Sequence, residues 1–182
     1  MKKIISLIMI ISIFASGLSC ISCRAENDED LVINNVVYFK PNPKEPYYAV
    51  YAFEKNSEKE VTVLDQINGI PVRKIYNPNF ESSYNESIET INLPDTIDCI
   101  GYYAFLNMKN LKKINIPKNI KIIDENAFRN CTSLEEVVFP KKKFKIRANA
   151  FWNCKKLKKV DLGNVTMIEH SAFYNCKSLK KL

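Results

Sequence analysis

The chain has 182 residues, of which 46% are hydrophobic and 26% are charged, a composition typical of a soluble folded domain that excludes wholesale disorder. Its 4 glycines are few for a β-sandwich or barrel, because such folds use glycine in many turns. The net charge of +7 is unevenly spread, since residues 101–182 carry 18 Lys or Arg against 6 Asp or Glu. That excess indicates an anionic partner or, more commonly, a lysine-rich solvated face.

The N-terminus has the pattern of an export signal. Lys2 and Lys3 precede an apolar run, IISLIMIISIFASGL at residues 4–18, which is too short to span a bilayer comfortably and is soon followed by an acidic stretch. We therefore predict a signal peptide over residues 1–25, cleaved near residues 19–25. Cleavage after Ala25 would leave a freely secreted protein.

The end of this segment also resembles the lipobox of bacterial lipoproteins, in which a cysteine after small residues is lipidated. The resemblance rests on GLSCISC at residues 17–23 and predicts lipidation of Cys20, with Cys23 as the alternative. No other segment reaches eighteen apolar residues, so the membrane would be reached only through a lipid anchor. The expected localisation is the cell surface or outer membrane by this anchor, and otherwise secretion.

Three strand-like runs follow the signal: NVVYFK, YYAVYAF and EVTVL. The turn-forming stretches PNPKEP and EKNSEK separate them. We interpret residues 26–64 as a small N-terminal β-hairpin cap that covers the first of the repeats that follow.

From residue 65 onward the sequence repeats itself. Ala-Phe recurs at Ala104, Ala127, Ala150 and Ala172, with spacings of 23, 23 and 22 residues, after a degenerate earlier copy. Apolar residues recur in register four before, one after, seven after and ten after each Ala. The core predicted from these positions consists of Ile100, Phe105, Leu111, Ile114, Ile123, Phe128, Leu134, Val137, Ile146, Phe151, Leu157, Val160, Ile168, Phe173 and Leu179.

Such a period is typical of a solenoid, because one coil has too few apolar residues to bury a face and stacked coils share a core. The segment LKKINIP alternates as a short strand does, with Leu111, Ile114 and Ile116 inward, and ends at a proline. We expect these strands to pair parallel and in register, and AFRNC to form a turn or short 3₁₀ segment on the opposite wall. Residues 65–182 are thus predicted to form a β-rich, right-handed solenoid of about five coils of 22–25 residues, the last incomplete.

The repeat pattern, Leu-x-x-Ile-x-Ile-Pro followed by Ile-x-x-x-Ala-Phe-x-x-Cys, resembles the BspA-like, treponemal-type leucine-rich repeat of bacterial surface proteins. The resemblance covers Val61 to Leu182, and DQINGIPVRKI at residues 65–75 resembles the family's opening segment, which turns on Asn-Gly. It implies a leucine-rich-repeat architecture and a role in adhesion to host matrix proteins or to other cells. An architecture alone does not fix a function.

No residue pattern indicates catalysis. His170, the only histidine, falls at a variable position that Tyr102, Glu125 and Ala148 fill in other coils. The sequence has no glycine-rich phosphate loop, no HExxH motif and no acidic calcium loop. We therefore expect a protein that is not an enzyme and has no metal site or cofactor.

Three cysteines share one repeat position. Cys131, Cys154 and Cys176 lie 23 and 22 residues apart, whereas metal sites usually take cysteines in close pairs. Met108 fills the equivalent place in the first full coil, which indicates a position for a modest apolar side chain. We expect three buried thiols that remain unlinked.

The outward positions of the repeat strand are the candidate ligand-facing residues. They form two rows: Lys113, Glu136, Lys159 and Lys181, and Asn115, Val138 and Asp161. Opposite charges on neighbouring strands could satisfy each other, whereas a rigid solenoid face with variable positions is typical of macromolecular recognition. We expect a secreted or surface-anchored module for protein–protein or host-surface adhesion. The alternative is a truncated, inert repeat remnant or a structural surface protein without a ligand.

Two further features bear on partners. PKKKFKIR at residues 140–147 is a dense basic turn, but an exported protein seldom meets nucleic acid, so the expected ligand is a protein or anionic glycan on a host or neighbouring cell. The last coil stops at Leu182 without a capping repeat. An open solenoid end predicts end-to-end self-association.

Overall fold

The computed structural model describes residues 30–41, 44–54, 58–77 and 87–180. None of these residues forms a helix that could cross a membrane. The export signal and both lipidation candidates, Cys20 and Cys23, lie outside the described residues. The strands are β1 (Leu31–Ile33), β2 (Val36–Phe39), β3 (Tyr48–Phe53), β4 (Glu60–Thr62), β5 (Gln66–Ile67), β6 (Ile70–Ile75), β7 (Thr90–Asn92), β8 (Cys99–Ile100), β9 (Lys113–Ile114), β10 (Ile122–Ile123), β11 (Glu136–Val138), β12 (Lys143–Ile146), β13 (Lys159–Asp161) and β14 (Asn164–Ile168).

One side of the molecule is a large sheet in the order β1-β2-β3-β6-β8-β10-β12-β14, with β5 paired to β6. From β3 onward the main strands are parallel, as expected when each coil adds one strand to the stack. Their register aligns one row of isoleucines, Ile75, Ile100, Ile123, Ile146 and Ile168. The sequence predicted this apolar row but not its strands, which in β8 and β10 are only two residues long.

The second side is a narrower set of strands, which we call the ribbon: β4-β7-β9 and β11-β13. These strands come from the LKKINIP segment and its equivalents. Glu136, Val137 and Val138 pair with Lys159, Val160 and Asp161, parallel and in register as predicted. A backbone hydrogen bond of 3.5 Å from the Glu135 N–H to the Lys112 carbonyl joins the two parts. The ribbon therefore runs along the stack.

The N-terminal strands extend the large sheet. β1 and β2 form an antiparallel hairpin around Asn34 and Asn35, whose φ values of 49° and 62° suit a tight turn. β3 is antiparallel to β2 and parallel to β6. β4 differs from the expectation for EVTVL, because it pairs parallel with β7 in the ribbon instead of joining a hairpin. Its inward Val61 between two exposed polar residues repeats the burial pattern of β11.

The opening turn and the end of one ribbon strand both depend on glycine. Asn68 and Gly69, with φ of 51° and 77°, connect β5 to β6 in the Asn-Gly turn that the sequence predicted. Gly163 has a φ of 53°, and a Cβ there would lie 2.5 Å from the Pro140 carbonyl oxygen. Gly163 stands where earlier coils have Pro117 and Pro140, so the last described coil needs glycine at this corner.

The third side, the turn wall, consists of the Ala-Phe turns at residues 101–110, 124–133, 147–156 and 169–178. These are turns, as predicted, and backbone hydrogen bonds join them between coils: the N–H of Phe105 donates to Ala127 and that of Phe128 to Ala150, each at 2.7 Å. The phenylalanine rings of the turns stack along the axis, with centroids of Phe105 and Phe128 5.0 Å apart.

The predicted core is buried along most of the stack, since Leu111, Leu134 and Leu157 are all fully inaccessible. At the far end Val160, Phe173 and Leu179 are only half-buried. The prediction that Ile168 is core is wrong, because its side chain is 42% exposed. β14 pairs with β12 on one side, and no described strand covers its other edge.

Candidate binding surfaces

The predicted ligand-facing residues lie on the outer surface of the ribbon. Each of the six that the structure describes is exposed: Lys113, Asn115, Glu136, Val138, Lys159 and Asp161. Lys181 lies outside the described residues. Between the two outward rows, Ile114 and Val137 point inward and are buried, which fixes the direction of the neighbouring side chains.

Ion pairs between neighbouring coils neutralise much of the ribbon. The Lys159 Nζ lies 3.1 Å from Glu136 Oε1, and the Lys158 Nζ lies 2.9 Å from Glu135 Oε2. The hydrogen bond from Lys158 lowers the pKa of the Glu135 carboxyl. Such exposed pairs contribute little to stability but hold the side chains in a defined arrangement.

Asn115 is committed to the backbone of the neighbouring coil. Its Nδ2 donates to the Leu93 carbonyl and its Oδ1 accepts from the Leu93 N–H, both at 2.7 Å. These two hydrogen bonds continue the pairing of neighbouring coils past the end of β9, with a side chain in place of the backbone. Asp161 accepts a hydrogen bond from the Gly163 N–H of its own coil, at 3.1 Å. Of the six side chains, those of Lys113 and the 55% exposed Val138 form no hydrogen bond or ion pair with other described residues.

A basic groove lies at the corner where each coil passes from the ribbon to the large sheet. Its volume is about 470 Å³. The lining residues are Pro71, Arg73, Thr96, Asp98, Asn119, Ile120, Lys121, Lys142 and Lys143. The lysines of the PKKKFKIR turn are evident in the sequence, whereas Arg73 and Lys121 come from other coils and reach the groove only through the stacking register.

Of the described residues that line this groove, Asp98 alone is a carboxylate. Its side chain is 12% exposed, and Arg73 Nη2 and Lys121 Nζ lie 2.5 and 3.0 Å from its Oδ2. Burial alone would raise the pKa of Asp98, but the hydrogen bonds and charges of Lys121 and Arg73 outweigh it and lower the pKa. Asp98 is therefore ionised at neutral pH and holds both cations over the groove.

An asparagine ladder on the turn wall was missed by sequence analysis. Asn130 donates to Asn107, Asn153 to Asn130 and Asn175 to Asn153, through Nδ2 to Oδ1, at 2.5, 2.8 and 2.7 Å. All four have φ between 59° and 63°, a region that asparagine tolerates better than most residues. The signal was visible in the sequence, since Asn stands three residues after Ala in every full copy.

The cysteine position is explained by a similar ladder. The Cys131 Sγ lies 3.1 Å from the Phe105 carbonyl oxygen, and the Cys154 Sγ lies 3.2 Å from that of Phe128. The described cysteines are free thiols, Cys131 and Cys154 fully buried. Burial raises the pKa of the Cys131 thiol, and burial together with the charge of Asp124 raises that of Cys99 to about 11. Such thiols are unreactive at neutral pH.

On the outer surface of the turn wall, one arginine and two aromatic side chains form a short stack. The Arg129 guanidinium lies 4.4 Å from the ring centroid of Trp152, which stacks on Tyr174 with centroids 6.1 Å apart. Beside it, Arg147 Nη1 bonds Glu169 Oε1 at 2.5 Å. His170 is exposed. No three His, Cys, Asp or Glu residues of the described ranges form a metal-binding cluster.

The fold is shared with solved bacterial leucine-rich repeat proteins. A leucine rich repeat protein of T. pallidum matches with a TM-score of 0.70 and 26% identity, over 80% of this chain and 66% of that one. A leucine rich cell surface protein of Faecalibacterium prausnitzii matches with a TM-score of 0.70 and 26% identity, over 84% of this chain and 38% of that one. A leucine-rich repeat protein of Bacteroides ovatus, 24% identical with a TM-score of 0.67, shows the fold alone.

This chain thus spans about two thirds or less of the length of these three proteins. No curated protein sequence matches it. The BspA type leucine rich repeat region matches residues 73–182 in 6 copies, more than half of the chain. With its stacked coils, in-register ribbon and Ala-Phe turns, the protein belongs to the BspA-type leucine-rich repeat family.

Proposed function

We propose that this protein is an exported binding module at the cell surface. Its ribbon binds a protein on a host or neighbouring cell. One observation carries the proposal: the chain repeats its inward ribbon residues but varies its outward ones. Ile114, Val137 and Val160 are all aliphatic, whereas the residues beside them change from Lys113 to Glu136. A constant frame with varying surface chemistry is how repeat proteins build recognition surfaces.

The ribbon is also suited to this role by its rigidity. In-register pairing of β11 and β13 and the Glu136–Lys159 ion pair set the positions of the outward side chains before any partner arrives. A preorganised surface loses less conformational entropy on binding. The ribbon presents the exposed Val138 on β11 and the exposed Lys113 on β9, which give a partner both an apolar and a charged contact.

Surface location is part of the proposal. It is supported by the export signal pattern at residues 1–25 and by the similar F. prausnitzii protein, described as a cell surface protein. An anchor through a lipidated Cys20, or Cys23, would hold the ribbon outside the cell. The chemistry proposed is binding, and no residue is assigned to catalysis.

A binding assay with matched variants tests the proposal. The mature chain is immobilised and exposed to purified extracellular-matrix glycoproteins and to serum proteins. The ribbon variant is Lys113→Ala with Val138→Asp. The control is Lys109→Ala with Lys155→Ala, which changes net charge equally at exposed positions off the ribbon. We expect the ribbon variant to lose capture and the control to keep it. Absence of any ligand for the wild type would favour the inert or structural alternative, and equal loss in both variants would place binding elsewhere.

A further inference from the structure

The basic groove is built by four successive coils. Arg73 comes from the coil of β6, Asp98 from that of β8, Lys121 from that of β10, and Lys142 and Lys143 from that of β12. Because equivalent positions of parallel strands lie about 4.8 Å apart, the groove presents a charged side chain at regular intervals along the solenoid axis. The groove therefore runs along the solenoid axis across several coils and is not confined to one coil.

Positive charge in the groove is only partly compensated by carboxylates. Arg73 and Lys121 share one carboxylate, Asp98. Lys142 Nζ bonds the neutral Asn119 Oδ1 at 2.7 Å. The neighbouring side chains of Lys141, Lys143 and Lys145 are exposed and form no ion pair within the described residues. Only Lys118, which pairs with Asp95 at 2.9 Å, has a carboxylate of its own at this corner.

The ribbon provides an internal comparison. There Lys158 and Lys159 each meet a glutamate of the preceding coil, so each of these two lysines has a carboxylate of its own. The same repeat register could place acids opposite Lys141 and Lys142, but the preceding coil offers Lys118 and Asn119. Part of the excess positive charge of the chain thus lies at this corner, where a polyanion would replace the missing acids.

We propose that this corner binds an anionic polysaccharide, bearing sulfate or uronic acid groups, laid along the solenoid axis. A linear chain of anionic groups meets cations from three of the four coils, those of β6, β10 and β12. Arg73 provides a planar fork for bidentate contact with sulfate or carboxylate, and the lysines provide mobile point charges. Among the described residues, those that line the groove include no aromatic residue. It lacks both the anchors typical of protein interfaces and the stacking platforms that single-stranded nucleic acid uses.

This inference rests on the proposed role as an exported binding module but uses a different surface from the ribbon. An experiment can therefore disprove the glycan-binding proposal without disproving the ribbon proposal, and the reverse. Heparin serves as the sulfated probe, and its affinity for the mature chain is measured by calorimetry and by the salt concentration that elutes the protein from a heparin column.

Matched triple variants decide the location. The corner variant is Lys141→Ser, Lys142→Ser and Lys143→Ser; the control is Lys155→Ser, Lys156→Ser and Lys177→Ser, with the same net charge and equally exposed positions. We expect the corner variant to bind heparin roughly tenfold or more weakly, with a shallower salt dependence because fewer counterions are released, and the control to change less than about twofold. The ribbon variant should bind heparin as the wild type does.

Three outcomes would overturn the proposal. Equal weakening in the corner and control variants would mean that heparin senses net charge alone. Unchanged binding by a corner variant with a wild-type circular dichroism melt would mean that the groove is not the site. Binding of single-stranded DNA or of anionic lipid vesicles as tightly as heparin, with the same variant pattern, would show a general anion site instead of a glycan site.

Discussion

Phe128 and Phe151 lie in adjacent coils with ring centroids 4.8 Å apart and ring planes within 7° of parallel. Phe151 stacks in the same way on Phe173, at 5.1 Å and 4°. Isolated aromatic pairs often prefer edge-to-face contact, so this parallel column reflects the stacking register of the coils, whose spacing is about 4.8 Å. The column shows how strictly the backbone repeat determines side-chain positions, including those on the surface.

The first prediction concerns this column. Phe128→Ala is expected to lower the free energy of unfolding by about 3–5 kcal/mol, because it removes a fully buried ring and leaves a cavity between two others. Urea denaturation, monitored by the fluorescence of Trp152, the only tryptophan, measures the decrease in the free energy of unfolding. Lys113→Ala serves as the exposed control and should cost less than about 0.5 kcal/mol. Equal midpoints for Phe128→Ala and the wild type would show that the ring is not core.

The second prediction separates two roles of Asn130. Asn130→Gly keeps its φ of 63° but removes the hydrogen bonds to Asn107 and Asn153, and should cost about 1–3 kcal/mol. Asn130→Ala loses the same bonds and adds the strain of a left-handed alanine, roughly 1 kcal/mol more. The same urea titration compares both variants. Equal stabilities of Asn130→Gly and Asn130→Ala would argue against backbone strain in the alanine variant. If both variants were as stable as the wild type, the hydrogen bonds of the ladder would not contribute to stability.

The third prediction is an acid dependence centred on Asp98. Because folding lowers the pKa of this carboxyl, its contribution to stability is complete above the unfolded pKa of about 3.9 and is lost as the pH falls through the lower folded-state value. Asp98→Asn should be less stable than the wild type at neutral pH and should lose less stability on acidification. Denaturation curves from pH 7 to about pH 2 measure this. Parallel profiles for the two proteins would contradict it.

The fourth prediction concerns the far end of the stack. Met167 and Ile168 in β14 are each 42% exposed, and no described strand covers that edge. In the 182-residue chain we expect faster hydrogen exchange at residues 164–178 than at 104–150, and association that grows with concentration. Light scattering and exchange mass spectrometry test both. A monomer with equal protection in the two regions would disprove the prediction.

The sequence predicted the parts of the fold that repeat with large apolar side chains. The inward positions of Leu111, Val137 and Phe151 follow from the 23-residue period and the alternation of a short strand. The large sheet was missed because β8 and β10 have two residues each, too few for any alternation to be visible. Ile168 was misplaced because its register predicts burial, while burial also needs a neighbouring coil on the open side.

The candidate surfaces were predictable only in part. The outward position of Val138 follows from strand alternation, but the use of Asn115 as a backbone clamp depends on the exact reach of its side chain to Leu93. The groove could not be read from the sequence, since Arg73 and Lys121 are 48 residues apart and meet only at Asp98. Such sites arise from the stacking of coils, and no single coil contains them.

The proposed ribbon function is tested most directly by amine-reactive footprinting of the lysines with and without a bound protein ligand. Lysines surround the solenoid, so each surface carries its own reporter: Lys113 and Lys159 on the ribbon, Lys142 and Lys143 at the groove. The account predicts that a protein ligand protects Lys113 and Lys159 and leaves Lys109 and Lys155, on the turn side, as reactive as before. Protection of Lys109 and Lys155 with Lys113 unchanged would contradict it.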